Sequence, residues 1–134
     1  MNNNIYNGIS FKSACSFLFS YENILVGYLH GSILTDHFRD ESDIDIALFL
    51  KPGTNMDTME LLELTGELSS LLGREVHLGI VSNKFLIFAK EVLSKGKPLF
   101  IKDKGYHDLY VATLLSMYAE QKERQKEIVY AYTG

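Results

Sequence analysis

Apolar residues recur along this chain with two different periods, and the alternation between them outlines eight elements. From about Ser10 to Ser20, Phe11, Ala14, Cys15, Leu18 and Phe19 share one face at helical spacing, which predicts a first helix. Ile24–His30 is a short apolar run ended by Gly31-Ser32, the pattern of a buried strand. After a polar link, residues 43–50 (Asp-Ile-Asp-Ile-Ala-Leu-Phe-Leu) read as a second strand, closed by Lys51-Pro52-Gly53.

The next helix is bounded by chemistry as well as by period. Asp57 with Glu60 three residues on has the form of a capping box, and Gly73 sits where a left-handed C-terminal cap belongs. Met59, Leu62, Leu68, Leu71 and Leu72 are its expected apolar face. Residues 75–81 form a third strand, and a helix capped by Ser82 or Asn83 is expected to run to Lys95, with Gly96 ending it. Pro98–Lys102 is a short strand placed at an edge, because Pro98 cannot donate to a ladder. Asp103-Lys104-Gly105 reads as a turn. A last helix, about His107 to Tyr130, presents Leu109, Ala112, Leu115 and Tyr118, and its stretch from Glu120 to Glu127 reads as a solvated face. The order helix, strand, strand, helix, strand, helix, strand, helix describes a mixed α/β (α+β) chain with one sheet.

Composition narrows the classes without choosing among them. The 134 residues are 46% hydrophobic and 22% charged, in the range of a globular chain, and they are expected to form a single domain over 1–134. The apolar runs fall short of the roughly 18 residues of a membrane span. The start, Met1-Asn-Asn-Asn, has neither the basic nor the apolar region of a secretory leader. One cysteine, Cys15, lies among apolar neighbours and reads as a small buried hydrophobe. A reducing, cytoplasmic setting is the expectation. With 17 acidic against 13 basic residues and a formal charge of −4, broad electrostatic capture of nucleic acid is not expected.

The chemistry concentrates between Leu29 and Asp45. Residues two apart in a strand share a face, so Asp43 and Asp45 project together while Ile44 and Ile46 point to the other side. Two carboxylates so placed repel each other unless a hard cation lies between them, and oxygen ligands suit Mg²⁺ or Mn²⁺. Such ions can clamp the oxygens of a phosphoryl displacement. Gly31 at the end of a buried strand lets backbone amides approach phosphate, the Ser32 hydroxyl can donate to it, and Arg39 can offset its charge.

Gly31-Ser32, ten intervening residues and then Asp43-Ile44-Asp45 resemble the signature of the nucleotidyltransferase superfamily that includes DNA polymerase beta. Ser42, Ile44 and Ile46 around the two aspartates look most like the minimal nucleotidyltransferase (MNT) branch, antitoxins paired with HEPN ribonuclease toxins. The likeness extends through the Leu-rich helix, the strand after Gly73 and the segment Glu91–Phe100. It implies a polymerase beta-like fold, with a single mixed sheet of about four strands flanked by helices. It also implies transfer of AMP from ATP to a tyrosine of the toxin, silencing it. In that frame Asp43 and Asp45 hold Mg²⁺ or Mn²⁺, Gly31, Ser32 and Arg39 bind nucleotide, and the partners are ATP and a HEPN toxin, with neither membrane nor nucleic acid bound directly.

Two positions depart from the family pattern. His77 stands where the family places a third carboxylate on the following strand, with Glu75 on the same strand face as a substitute. Asp36 replaces a usual loop glycine and would tolerate a left-handed backbone. The first departure keeps open a fold that neutralises its partner by binding alone. A small-molecule nucleotidyltransferase is a further alternative, set against by the lack of room for an acceptor domain.

Overall fold

The computed structural model describes residues 4–133, with side chains through residue 131. The start at Met1–Asn3, where no secretory leader is expected, lies outside the described residues. In chain order the elements are β1 (Ile5–Tyr6), β2 (Ile9–Ser10), α1 (Lys12–Phe19), β3 (Ile24–His30), a 3-10 turn (Gly31–Leu34), β4 (Ile44–Leu50), α2 (Thr58–Leu72), β5 (Val76–Ile80), α3 (Leu86–Lys95), β6 (Lys97–Ile101) and α4 (Lys104–Thr133). The main sheet is mixed, in the order β5-β4-β3-β6. β3 runs antiparallel to β4 and β6, whereas β4 and β5 are parallel. β6 lies at an edge, as Pro98 requires.

Alternation along the central strands divides the core. Ile44, Ile46 and Leu48 of β4, with Ile24 and Leu29 of β3, pack on Phe11, Ala14 and Leu18 from the α1 side and on Leu64 and Leu68 of α2. On the other face Ala47 and Phe49 join Val26, Tyr28, Ala89 and Val92 of α3 and Leu114 of α4. Each large side chain fully removed from water contributes about 1.5–3 kcal/mol, so both layers are needed to hold the sheet. The two-sided burial explains why β3 and β4 read as near-continuous apolar runs.

The caps of α2 were legible in the sequence and helix faces less so. The Asp57 carboxylate accepts the Glu60 amide at 2.8 Å, and Gly73 closes α2 at φ +67°. The buried stripe of α2 is nevertheless Leu64 and Leu68, with Leu61 and Leu72 beside them, while Met59, Leu62 and Leu71 are exposed. The pairs Leu61-Leu62 and Leu71-Leu72 satisfy either phase of the helical period, so spacing alone does not choose. The same ambiguity at Leu114-Leu115 misplaces the α4 stripe. Leu109 is 70% exposed and Leu114 is 1% exposed; the inward side chains include Tyr106, His107, Tyr110, Val111 and Leu114, and of the expected stripe Tyr118 is half-buried. Phe19 is also exposed rather than buried, although its ring meets Phe100 edge-on and Lys102 from above.

Two helix starts move for local reasons. The Ser82 hydroxyl accepts the Lys84 amide at 3.3 Å and makes a turn, which delays α3 to Leu86. Asp103 is not part of a turn between elements: its carboxylate accepts the Tyr106 amide at 3.0 Å and caps α4, which therefore begins at Lys104, not His107, and extends to Thr133. The β1–β2 hairpin was not anticipated, although its turn, Asn7-Gly8, carries the two positive φ values (48° and 76°) that favour this dipeptide in hairpins. Cys15 is half-buried, its Sγ 3.7 Å from the Leu99 carbonyl, and burial pushes the thiol pKa up, as suits an unreactive packing residue. No helix among the described residues is long and apolar enough to cross a membrane.

Candidate active site

The polar end of the α3/α4 face is assembled by three adjacent strands. Asp45 of β4 pairs with His30, the last residue of β3, on one side and with His77 of β5 on the other. Asp43 precedes β4 by one residue, and Glu75 precedes β5 by one. The His77 imidazole stands among three carboxylates: Nε2 is 3.5 Å from Asp43 Oδ2 and 3.3 Å from Glu75 Oε1, and Nδ1 is 3.7 Å from Asp45 Oδ1. The Asp43 and Asp45 side chains are 39% and 30% exposed, half-buried but open to a ligand. The structure thus brings together Asp43, Asp45 and His77, with Glu75 beside them as its place on the same strand face implies.

Gly31 is fixed at this place by two independent constraints. Its φ is +81°, a left-handed value that favours glycine, and a Cβ there would run into the Asp45 carboxylate. The strand end and the carboxylate therefore lie so close that a side chain at position 31 would have to displace the Asp45 carboxylate. Beyond it, Ser32–Leu34 wind into the 3-10 turn, and both the amide and the hydroxyl of Thr35 donate to the Ser32 carbonyl at 2.9 Å.

Sequence reasoning missed two residues that hold this end of the sheet in place. The Asn7 Nδ2 donates to the carbonyls of Ile33 at 2.7 Å and Thr35 at 3.0 Å, so the N-terminal hairpin is a clamp on the turn after Gly31. Asn-Gly in the sequence signals the turn, but nothing in it signals the distant carbonyls. Arg74 lies over the Phe38 ring at 4.6 Å and donates through Nη1 to the carbonyls of Arg39, Asp40 and Ser42. One guanidinium therefore organises the link that delivers Asp43.

Arg39 itself is engaged by its own loop. Its guanidinium donates to the carbonyls of Asp36 and Phe38, both at 3.1 Å. Asp36 needs no left-handed backbone: among the described residues Asn7 is the non-glycine with positive φ. His30 meets the Phe88 ring edge-on at 5.4 Å, and burial lowers its pKa against the opposing pull of Asp45. His107 is a packing residue, its Nε2 2.6 Å from the Tyr28 hydroxyl and its ring stacked on Tyr28 and Phe49. A cleft of 850 Å³ opens at the other end of the same face, lined by Met56, Val81, Phe85, Phe88, Tyr106 and others, but not by Asp43, Asp45 or His77.

Asp43, Glu75 and His77 offer ligand atoms within 4.8 Å of one another, a donor set that fits a divalent cation. A mixed four-strand sheet flanked by helices, with paired aspartates at a Gly-Ser strand end, defines a polymerase beta-like nucleotidyltransferase fold. The family model described as "Polymerase beta, Nucleotidyltransferase" matches residues 12–105, and the chain belongs to that family. Comparison with curated protein sequences finds no significant match.

Among solved structures, a mutant MntA–HepT toxin–antitoxin complex with two aspartates changed to glutamate is similar at a TM-score of 0.72 and 21% identity, covering 100% of both chains. A toxin–antitoxin complex with AMP-PNP is similar at 0.68 and 24% identity, covering 87% of this chain and 91% of that one. A complex of tri-AMPylated Shewanella oneidensis HEPN toxin with MNT antitoxin is similar at 0.61 and 23% identity, covering 85% and 87%. At these identities the likeness is one of fold.

Proposed function

We propose that this protein is the antitoxin of a toxin–antitoxin pair and transfers AMP from ATP to a tyrosine hydroxyl of a HEPN toxin. The observation that carries the reading is the contact between Gly31 and Asp45, which sets a phosphate-accessible strand end directly against a paired carboxylate. Membership of the nucleotidyltransferase family supports the reaction class. The AMP-PNP and tri-AMPylated toxin complexes of similar fold support the nucleotide and the acceptor. A cytoplasmic setting goes with this reading.

In the reaction the tyrosine oxygen attacks the α-phosphorus, the bond to the bridging oxygen breaks, pyrophosphate leaves, and the hydroxyl proton passes to the surrounding carboxylates or water. Asp43 and Asp45 would hold Mg²⁺ or Mn²⁺, which when bound offsets phosphate charge and polarises the reacting oxygens. Gly31 and Ser32 seat the phosphates through backbone amides and the hydroxyl, and the Asn7 clamp keeps that turn in register. Arg39 would have to release its loop carbonyls to reach a phosphate. Glu75 and His77 complete the ring of charge on the third strand.

His77 in place of a carboxylate favours one second reading, neutralisation of the toxin by binding alone. Incubation with labelled ATP, divalent metal and the partner toxin separates the two. The transfer reading expects label on the toxin with the wild type and none with Asp43→Asn. A toxin left unlabelled yet inhibited equally by both proteins would establish the binding reading.

A further inference from the structure

We infer that Asp43, Glu75 and His77 form a mixed nitrogen–oxygen site that selects a divalent first-row transition ion, Mn²⁺ among them, over Mg²⁺. The inference rests on reading this end of the sheet as a metal-dependent centre and specifies which ion the chain's own residues favour.

The spacing of the donor atoms carries the argument. Ligands about 2.1 Å from one ion lie about 3.0 Å apart at an octahedral edge and about 3.4 Å apart at a tetrahedral one. His77 Nε2 is 3.5 Å from Asp43 Oδ2 and hydrogen-bonds Glu75 Oε1 at 3.3 Å, so both edges that meet at this nitrogen are within about half an ångström of a coordination edge. The three donors lie within 4.8 Å of one another. The other ring nitrogen, Nδ1, is directed at Asp45 Oδ1 at 3.7 Å. At that distance the contact is one of charge and not a hydrogen bond; a carboxylate that closes it orients a metal-bound imidazole and raises its basicity. Asp45 thus supports the ring while Asp43 is common to this site and to the aspartate pair.

Charge points the same way. Three carboxylates surround one imidazole, so the cluster carries a net charge of about −2 or −3 whichever form the ring takes. An internal ion pair alone leaves that excess, and a divalent ion offsets it. Selectivity follows from the nitrogen. Mg²⁺ sheds water reluctantly and prefers oxygen ligands, whereas transition ions gain from imidazole. A carboxylate at position 77 would restore an oxygen-only set.

The test uses the full-length protein without nucleotide or toxin. Mn²⁺ is titrated and followed by electron paramagnetic resonance, with nitrogen coupling read by spin-echo modulation and Mg²⁺ added as competitor. The wild type should bind Mn²⁺, show coupling to an imidazole nitrogen, and retain most of the ion against about a hundredfold excess of Mg²⁺. His77→Asp should lose the coupling and at least about tenfold of the discrimination. Glu75→Gln, which keeps the ring, should bind Mn²⁺ more weakly with the coupling intact. Absence of Mn²⁺ binding, bound Mn²⁺ without nitrogen coupling, or equal discrimination in His77→Asp would overturn the inference. Intact selectivity with no AMP transfer would overturn the proposed function and leave the metal site standing.

Discussion

The two faces of the sheet are made by the same strands and do different work. Toward α1 and α2, Ile44, Ile46 and Leu48 are fully buried. Toward α3 and α4, the alternate positions begin with Asp43 and Asp45 and become apolar only at Ala47 and Phe49. One residue of register therefore separates a sealed core from a chemical site. The comparison teaches that the site is anchored by the opposite face: the carboxylates are held where they are because their neighbours in sequence are packed immovably on the other side.

The contrast can be broken most forcefully from the sealed side. Ile46→Ala should cost about 2–5 kcal/mol, read as a lower denaturation midpoint, while the activity per folded molecule stays close to wild type. Loss of activity in the folded fraction would show that the faces are not separable. Gly31→Ala comes next, combining a strained φ with a side chain driven against Asp45. It should destabilise by about 1–3 kcal/mol and, unlike Ile46→Ala, weaken ATP binding measured by calorimetry.

Asn7→Ala sharpens the comparison from outside the sheet. It removes two hydrogen bonds to the turn after Gly31 and should cost about 1–2 kcal/mol, with a rise in the KM for ATP larger than any fall in kcat. The smallest effect is in pH dependence. Burial depresses the His30 pKa below its ordinary 6.5, so the native chain keeps this ring neutral while the unfolded chain protonates first. Its contribution is fully present above about pH 6.5 and is lost as pH falls from there toward the lower native pKa. Melting temperatures between pH 7.5 and pH 5 should fall less in His30→Asn than in the wild type.

Much of this was legible in the sequence because local chemistry determined it. The spans of β3 and β4 follow from apolar runs stopped by Gly31 and Pro52, and the ends of α2 from Asp57 and Gly73. The proximity of Gly31, Asp43 and Asp45 follows from adjacent antiparallel strands. What escaped depends on groups distant in the chain. The phases of α2 and α4 are decided by which of two adjacent leucines meets the sheet, and Asn7 and Arg74 act on backbone carbonyls that no spacing announces. Glu75 entered as a substitute for a missing carboxylate, but its place beside Asp43 came from the parallel pairing of β4 with β5.

The central claim is that nucleotide binds at the polar end of the α3/α4 face and not in the 850 Å³ cleft at its other end. A crystal structure of the protein with a non-hydrolysable ATP analogue and Mn²⁺ tests it most directly. The account predicts phosphates on the backbone of Gly31 and Ser32 with metal density on Asp43. A nucleotide seated between Phe85, Phe88 and Tyr106, with Asp43 and Asp45 uninvolved, would contradict it.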